Sequence, residues 1–561
     1  MPDTIAKHLL SWVIFLPIIG ALILMFAFKR PQDEEDAHHH AIVLADGEVA
    51  PTTPNSANAI RNFTLFWSAL TFALSLALLF KFDTSPGEKF QFVDGPFEWI
   101  PQFHVNYHIG IDGISLLLIL LTTFLTLLSV GFSFNIKRRV KEYMIFLLLL
   151  ETAMTGVFCA LDLVLFYVFW EAVLIPMYFL IGIWGHDRRI FAAVKFFLYT
   201  FAGSVLMLVG IVYLYVATGS FSVVDLVSRG ADAHQLLLGI KPQTMLYLFS
   251  AFSLAFMIKV PMFPFHTWLP DAHVEAPTAG SVILAGIMLK MGAYGFIRFA
   301  LPLFPEQAKA AAPLFLALAV IGIVYGAVVA TVQPDMKKLV AYSSVSHLGF
   351  VMLGIFSFTK LGLTGAVLQS VNHGISTGML FFMVGMMYER KHTREISAYG
   401  GIKRIVPVFA AFFLIALLSS VALPLTNGFV GEFTILQGVY ISPISGSIYA
   451  GIASTGMVLS AIYMLWMFQR VFTGPVTHES NKSLLDLTKV EIAVLVPLVA
   501  LVFWIGCASP YWTKFLTAPV TNIQNDVGLG QMQLPEDGDP RVIIPKEQSK
   551  AGKEIIPIAS N

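Results

Sequence analysis

The chain has 561 residues, of which 57% are hydrophobic and only 12% are Asp, Glu, Lys or Arg, about half the charged share of a soluble globular domain. This composition excludes a soluble globular protein and indicates one solvated largely by lipid. The formal net charge is zero, so the overall balance offers no field for nucleic acid or for an anionic surface.

Apolar runs long enough to cross a hydrocarbon core of about 30 Å recur along nearly the whole chain. They predict fourteen transmembrane helices, at 8–28, 60–82, 113–135, 142–160, 162–184, 190–218, 243–270, 276–300, 313–332, 338–358, 363–388, 405–435, 448–472 and 488–515. The first run lacks a following small-residue cleavage site and is read as a retained helix. Residues 1–135 thus hold helices 1–3. A polar loop at 29–59 separates the first two and carries Asp33-Glu34-Glu35-Asp36 and His38-His39-His40. Without thiols or spaced carboxylates, the three histidines are read as part of a solvated loop and not as a metal site.

The segment 83–112 is rich in aromatic residues, Pro and Gly, with Trp99, Phe103 and Tyr107 suited to a membrane interface, and predicts a short hairpin. The polar tail 516–561 shows no helical periodicity and is read as a loose outward extension. Cys159 and Cys507 lie far apart in or at the ends of apolar runs, which indicates neither a disulfide framework nor an iron–sulfur site.

Charge fixes the orientation. With the N-terminus outside, the connections on the inner side hold nineteen Lys and Arg, Lys137, Arg138, Arg139 and Lys141 among them, against seven on the other side. That is the positive-inside pattern, and it places both termini on the periplasmic side of a bacterial inner membrane.

Two predicted spans are interrupted. Helix 7 reads Phe256-Met257-Ile258-Lys259-Val260-Pro261-Met262-Phe263-Pro264, and helix 12 reads Ala422-Leu423-Pro424-Leu425-Thr426-Asn427-Gly428-Phe429-Val430-Gly431-Glu432. Proline removes a backbone donor and clashes with the preceding turn, so both helices break. Unwound backbone at membrane depth survives only where protein or a wet cavity satisfies it. Paired breaks in two halves of a chain are also the sequence hint of inverted repeats, here helices 4–8 (142–300) and 9–13 (313–472).

Each break carries an ionisable residue. By position in the spans, Glu171, Lys259, Lys290, His347 and His373 fall near mid-membrane, with Glu432 beside the second break. A central charge costs about 2.5–3.5 kcal/mol to insert, so a set of them implies either tight pairing or function. Glu171 and Lys259 are opposite in sign and predict an ion pair. At about 6 Å and an effective dielectric near 20, their attraction is about 3 kcal/mol, enough for the pair to act as a switch. Lys290, His347, His373 and Glu432 would continue the row. Glu151, Lys195, His266 and Asp271 are secondary candidates for the row or an access path, the last two lying in a stretch that, with His273 and Glu275, also reads as a solvated connection.

At these residues the chain resembles the antiporter-like membrane subunits of proton-pumping NADH:quinone oxidoreductase, respiratory complex I, and among them the subunit M or chain 4 group. The resemblance rests on Gly110-Ile111-Asp112-Gly113-Ile114-Ser115-Leu116, on Trp170-Glu171, and on the run from Lys259 through His266-Thr267-Trp268-Leu269-Pro270-Asp271-Ala272-His273 to Ala276-Pro277-Thr278. It implies an all-α polytopic fold of fourteen helices with two inverted five-helix repeats. It also implies a Glu171–Lys259 pair, a helix-8 lysine at Lys290, and a glutamate at Glu432 where the sister L and N subunits carry lysine. No cofactor is implied in this subunit, with NADH, FMN, iron–sulfur clusters and quinone expected on other subunits, and the partners implied are the L and N subunits, the lipid bilayer and protons. The alternative within the same fold is a subunit of a multi-subunit cation/proton antiporter or membrane-bound hydrogenase. A quinone-binding redox enzyme is disfavoured, because the chain shows no metal or flavin motif.

Overall fold

A computed structural model describes residues 8–30, 54–85, 87–227, 237, 239–444 and 446–528, with two short strand pieces at Met532–Gln533 and Ile544–Pro545. The acidic run and the three histidines of the 29–59 loop lie outside the described residues.

The chain is an all-α polytopic membrane protein. Its longer helices, numbered in order, are α1 Leu9–Ala27, α2 Pro54–Lys81, α3 Gly113–Phe132, α4 Val140–Val157, α5 Leu163–Trp184, α6 Arg189–Thr218, α7 Pro242–Lys259, α8 Trp268–Glu275, α9 Thr278–Leu303, α10 Pro305–Thr331, α11 Met336–Phe356, α12 Lys360–Lys391, α13 Pro407–Ser420, α14 Asn427–Tyr440, α15 Gly446–Phe472, α16 Lys489–Cys507 and α17 Ser509–Asp526. Among the described residues, ten helical segments are long and apolar enough to cross a membrane. The other four predicted spans are also helical: α4, the long α12, and the two broken spans, α7 with α8 and α13 with α14.

Local chemistry explains where helices begin. Asp112 accepts from the Ile114 and Ser115 amides at 3.0 Å and caps α3. Asp162 caps α5 in the same way, and Asp335 caps α11. Each satisfies donors that the first helical turn leaves without partners. Within α5 the backbone is disturbed at Val173, because Pro176 cannot donate to the Ala172 carbonyl. Glu171 sits immediately before that disturbance.

The first break spans Val260–Thr267, between α7 and α8, and one freed carbonyl there is satisfied by a side chain, since the Trp268 indole donates to the Ile258 carbonyl at 3.0 Å. The second, between α13 and α14, contains two non-glycine residues in the left-handed region, Ala422 (φ 58°) and Leu425 (φ 74°). Helix α9 is fully buried at the centre of the bundle and contains two wide turns with i→i+5 bonding, at Leu284–Met288 and Phe296–Ala300. Such turns cluster at functional positions, and Lys290 lies between them.

The predicted hairpin is present, with β1 (Gln91–Ile100) paired antiparallel to β2 (Val105–Ile111) in the register Phe97↔Tyr107 and Asp94↔Ile109. It is tied to the bundle by Gly110, whose amide donates to the Cys159 carbonyl, and by Leu161, whose amide donates to the His108 carbonyl, both at 2.9 Å. Trp99 and Phe103 are exposed on it, as expected for interface residues.

Two boundaries differ from the sequence reading. Helix α2 starts at Pro54, inside the segment expected to be loop, because proline is tolerated in the first turn, where its missing donor costs nothing. The span expected at 488–515 is two helices, and the tail expected to be loose from residue 516 is helical to Asp526. Pro510 opens the second helix, and Trp512, Phe515, Leu516, Val520 and Ile523 recur along it as a buried stripe. Spaced three or four residues apart among polar neighbours, these residues form an amphipathic helix, which a search for continuous apolar runs overlooks.

Candidate functional site

The six residues of the predicted row fall into two groups. The larger is a contiguous chain of contacts. The ammonium of Lys290 (α9) donates back to the Ala285 carbonyl in the wide turn and lies 2.6 Å from His373 Nδ1 (α12). The His373 and His347 rings meet edge to face with centroids 5.8 Å apart. His347 Nδ1 (α11) is 2.6 Å from Glu432 Oε1 (α14), and that same oxygen accepts from Gln369 Nε2 at 2.9 Å. All five side chains are buried, with exposures of 0–3%. Charged groups in such surroundings persist only when hydrogen-bonded to one another.

Sequence order is not the spatial order. His373 stands next to Lys290, and the earlier His347 stands next to Glu432. The folding of α11, α12 and α14 around α9 produces this arrangement, and no single helix carries more than one member of the ionisable series.

The second group is Glu171 and Lys259. The predicted ion pair is not formed, because no Glu171 oxygen lies within salt-bridge distance of Lys259. Lys259 is 1% exposed, its ammonium has no hydrogen-bond partner among the described residues, and it sits over the Trp170 ring at 5.0 Å. Glu171 is partly exposed, with Tyr167, Ser204 and the Lys259 charge as its electrostatic neighbours. The break after Lys259 and the disturbance at Val173 hold the two charges in interaction but apart. Lys259 therefore leans on a π-face, a favourable position for a desolvated cation.

The secondary candidates separate. Lys195 pairs with Asp271 at 2.6 Å and donates to the Thr267 carbonyl at 2.9 Å, forming a half-buried bridge between α6 and α8. Glu151 is completely buried in α4, and neither carboxyl oxygen has a hydrogen-bond partner among the described residues. The expectation of a solvated connection at 266–275 fails for three of its four residues, since His266, His273 and Glu275 are buried. The physical reason is that α8 packs back into the bundle after the break, so its polar residues face protein. His273 stacks on Phe381, with centroids 4.6 Å apart, and neither of its ring nitrogens has a hydrogen-bond partner among the described residues.

Sequence reasoning missed the residues that support the chain. Gln369 binds Glu432, and the Ser420 hydroxyl is 3.3 Å from His347 Nε2. Gln369 lies four residues before His373, one helical turn away on the same face. That spacing of polar residues inside an apolar run was the available signal.

Away from both groups, a further buried pair joins the outer ends of two helices. Arg298 (α9) contacts Asp112 at 2.6 Å, and its Nε donates to the Tyr294 hydroxyl at 3.1 Å. Because Asp112 also caps α3, this pair serves packing.

Comparison with known proteins agrees with the geometry. A family model described as NADH:quinone oxidoreductase/Mrp antiporter, transmembrane, matches residues 160–460. The NADH-quinone oxidoreductase subunit M of Rickettsia prowazekii is 42% identical over 499 residues, spanning 89% of this chain and 95% of the relative. Subunit M of Rhodobacter capsulatus is 45% identical over 525 residues, 92% of this chain and 96% of the relative. NADH-ubiquinone oxidoreductase chain 4 of Marchantia polymorpha is 40% identical over 527 residues, 93% and 97%.

Among solved structures, a chain of respiratory complex I from Thermus thermophilus with bound NADH superposes with a TM-score of 0.77 at 29% identity, covering 93% of this chain and 99% of that one. A chain of the Mrp complex from Dietzia sp. DQ12-45-1b shares the fold, with a TM-score of 0.76 at 17% identity and coverage of 94% and 99%. With more than half of its length matched by the family model and relatives above 40% identity along nearly all of it, the chain belongs to the NADH:quinone oxidoreductase/Mrp antiporter transmembrane family.

Proposed function

We propose that this chain is the proton-translocating subunit M of NADH:quinone oxidoreductase, and that it moves protons through Glu171, Lys259, Lys290, His373, His347 and Glu432. The observation that carries the reading is the run from Lys290 to Glu432 through two imidazoles, hydrogen-bonded at both ends and joined in the middle by an edge-to-face ring contact. Imidazole has two nitrogens, so it can accept a proton on one face and release one from the other. Lysine and glutamate at the ends supply a donor and an acceptor.

Glu171 and Lys259 act as the switch. Their separation leaves Lys259 with the Trp170 face and the more distant Glu171 charge as its stabilising neighbours. Movement of Glu171 toward it would favour the charged lysine, and retreat would favour proton release toward the second group. The energy available is the coupling of two charges in a poorly solvated interior, about 3 kcal/mol at 6 Å.

In the same reading, ten of fourteen spans form two inverted five-helix units, 142–300 and 313–472, each with one broken helix and a buried charge beside it. The lysine and arginine excess on one face supports an orientation with both termini outward in a bacterial inner membrane. Electron transfer from NADH to quinone takes place on other subunits, which hold the redox groups, and antiporter-like neighbours of the L and N type flank this one. The cation/proton antiporter alternative is less favoured, because the relatives above 40% identity are named as subunit M or chain 4.

The test is proton translocation coupled to NADH oxidation in the assembled complex. Glu171→Gln and Lys259→Ala should each depress it, and normal pumping in both variants would overturn the assignment.

A further inference from the structure

The break between α13 and α14 is held by a reciprocal clasp of buried amides and hydroxyls. Asn372 Nδ2 donates to the Asn427 carbonyl at 2.7 Å, and Asn427 Nδ2 donates back to the Asn372 carbonyl at 3.3 Å. On its other side Asn427 Oδ1 accepts from the Ser419 hydroxyl at 2.5 Å and from Ser376 at 3.4 Å, with the two serine oxygens 2.5 Å apart. Asn372, Asn427 and Ser419 are 0% exposed. Asparagine near a helix start ordinarily caps the backbone. Here the start of α14 has no side-chain cap, and the Asn427 side chain is spent wholly across helices.

Each member of the clasp is next in the chain, or leads, to a member of the proton-transfer series. Asn372 precedes His373. Ser419 precedes Ser420, which contacts His347. Asn427 opens the helix that presents Glu432. Between Ser419 and Asn427 lie the left-handed Ala422 and Leu425. Such conformations are strained for residues with a Cβ and persist only where surrounding contacts over-determine them.

The packing leaves no slack. A Cβ on Gly428 would stand 2.0 Å from the Ser419 carbonyl, and one on Gly431 would stand 2.3 Å from Gln369 Oε1. Beside the clasp, α14 therefore packs closely against the end of α13 and against α12.

We propose that Asn427 is a positioning residue for proton transfer: together with Asn372 and Ser419 it fixes α14 against α12, and through that register the hydrogen bond between His347 and Glu432. This inference rests on the reading that His347 and Glu432 pass protons. A loss of the clasp lengthens the 2.6 Å contact without removing either titrating group. A misplacement of about 1 Å at a reacting pair can cost up to roughly 10²-fold in rate.

The experiment uses the assembled complex in membrane vesicles. Three quantities are measured: NADH oxidation with an artificial electron acceptor, protons pumped per NADH oxidised, and the pH profile of pumping. For Asn427→Ala we expect unchanged assembly and artificial-acceptor activity, pumping lowered about tenfold, and a displaced pH profile. Asn427→Asp, of equal size and still an acceptor for Ser419, should fall between alanine and wild type.

Wild-type pumping with an unchanged profile in an assembled Asn427→Ala complex overturns the proposal. If alanine blocks assembly, the aspartate variant decides by the same criterion. Failure of both to assemble makes the clasp a stability element and overturns the positioning role. Glu432→Gln, run in parallel, separates the two ideas. Normal pumping in Glu432→Gln sinks the proton-transfer reading, whereas loss there with wild-type behaviour in Asn427→Ala sinks only the clasp.

Discussion

His347 and Glu432 are 85 residues apart in the chain, yet His347 Nδ1 lies 2.6 Å from Glu432 Oε1 in the interior of the bundle. The contact joins α11 to the second half of a broken helix. Glu432 Oε1 also receives Gln369, while its other oxygen is buried without a hydrogen-bond partner among the described residues.

Glu432→Gln keeps the shape of the side chain and removes its ability to carry a proton. General acid–base groups contribute about 10²–10⁴-fold, so coupled proton pumping should fall by roughly 10²-fold while the complex still assembles. Vesicle acidification during NADH oxidation, compared with the amount of assembled complex, measures it. Pumping within twofold of wild type would exclude Glu432 from the route.

Lys290→Met removes the ammonium shared by His373 and the Ala285 carbonyl. Two buried polar groups then lose a partner, at about 1–3 kcal/mol each. Pumping should be lost, with a modest fall in thermal stability of the purified complex. Lys290→Arg restores a donor but not a readily released proton, so it should recover stability and not pumping.

Arg298→Gln tests the opposite kind of site. Its buried pair with Asp112 ties α9 to the cap of α3, and breaking such a pair costs about 3–5 kcal/mol by leaving a charge buried alone. The yield of assembled complex should drop sharply, while protons pumped per NADH in the complex that does assemble stay unchanged. A normal yield with impaired pumping would move Arg298 into the proton route.

His186, in the connection between α5 and α6, is half-buried against Tyr388. Burial, with the Lys337 and Arg394 charges behind it, depresses its pKa from the usual value to about 3. The unfolded chain therefore binds a proton that the folded chain refuses, and folded stability falls as pH drops from about 6.5 toward 3. His186→Gln removes this penalty. Thermal stability of the variant complex should decline less than that of wild type between pH 7.5 and pH 5, and equal declines would contradict the shift.

Membrane character, the approximate position of the apolar spans, both breaks and the ionisable residues were all legible in the linear chain. Each rests on local chemistry: apolar run length, proline placement, and the cost of charge in lipid. Amphipathic α17 was not legible as an apolar run, because its buried residues recur once per turn among polar ones.

The sequence by itself therefore determined which residues are too costly to bury without a purpose, namely Glu171, Lys259, Lys290, His347, His373 and Glu432. Only the tertiary structure decided how they connect. It placed His373 beside Lys290 and His347 beside Glu432, held Lys259 over Trp170 and out of an ion pair with Glu171, and recruited Gln369, Asn372 and Asn427 as supports. The reason is physical. Burial cost is a property of one residue and its local run, whereas contact order depends on how α9, α11, α12 and α14 pack, and that packing is set by many weak apolar contacts spread over the whole chain.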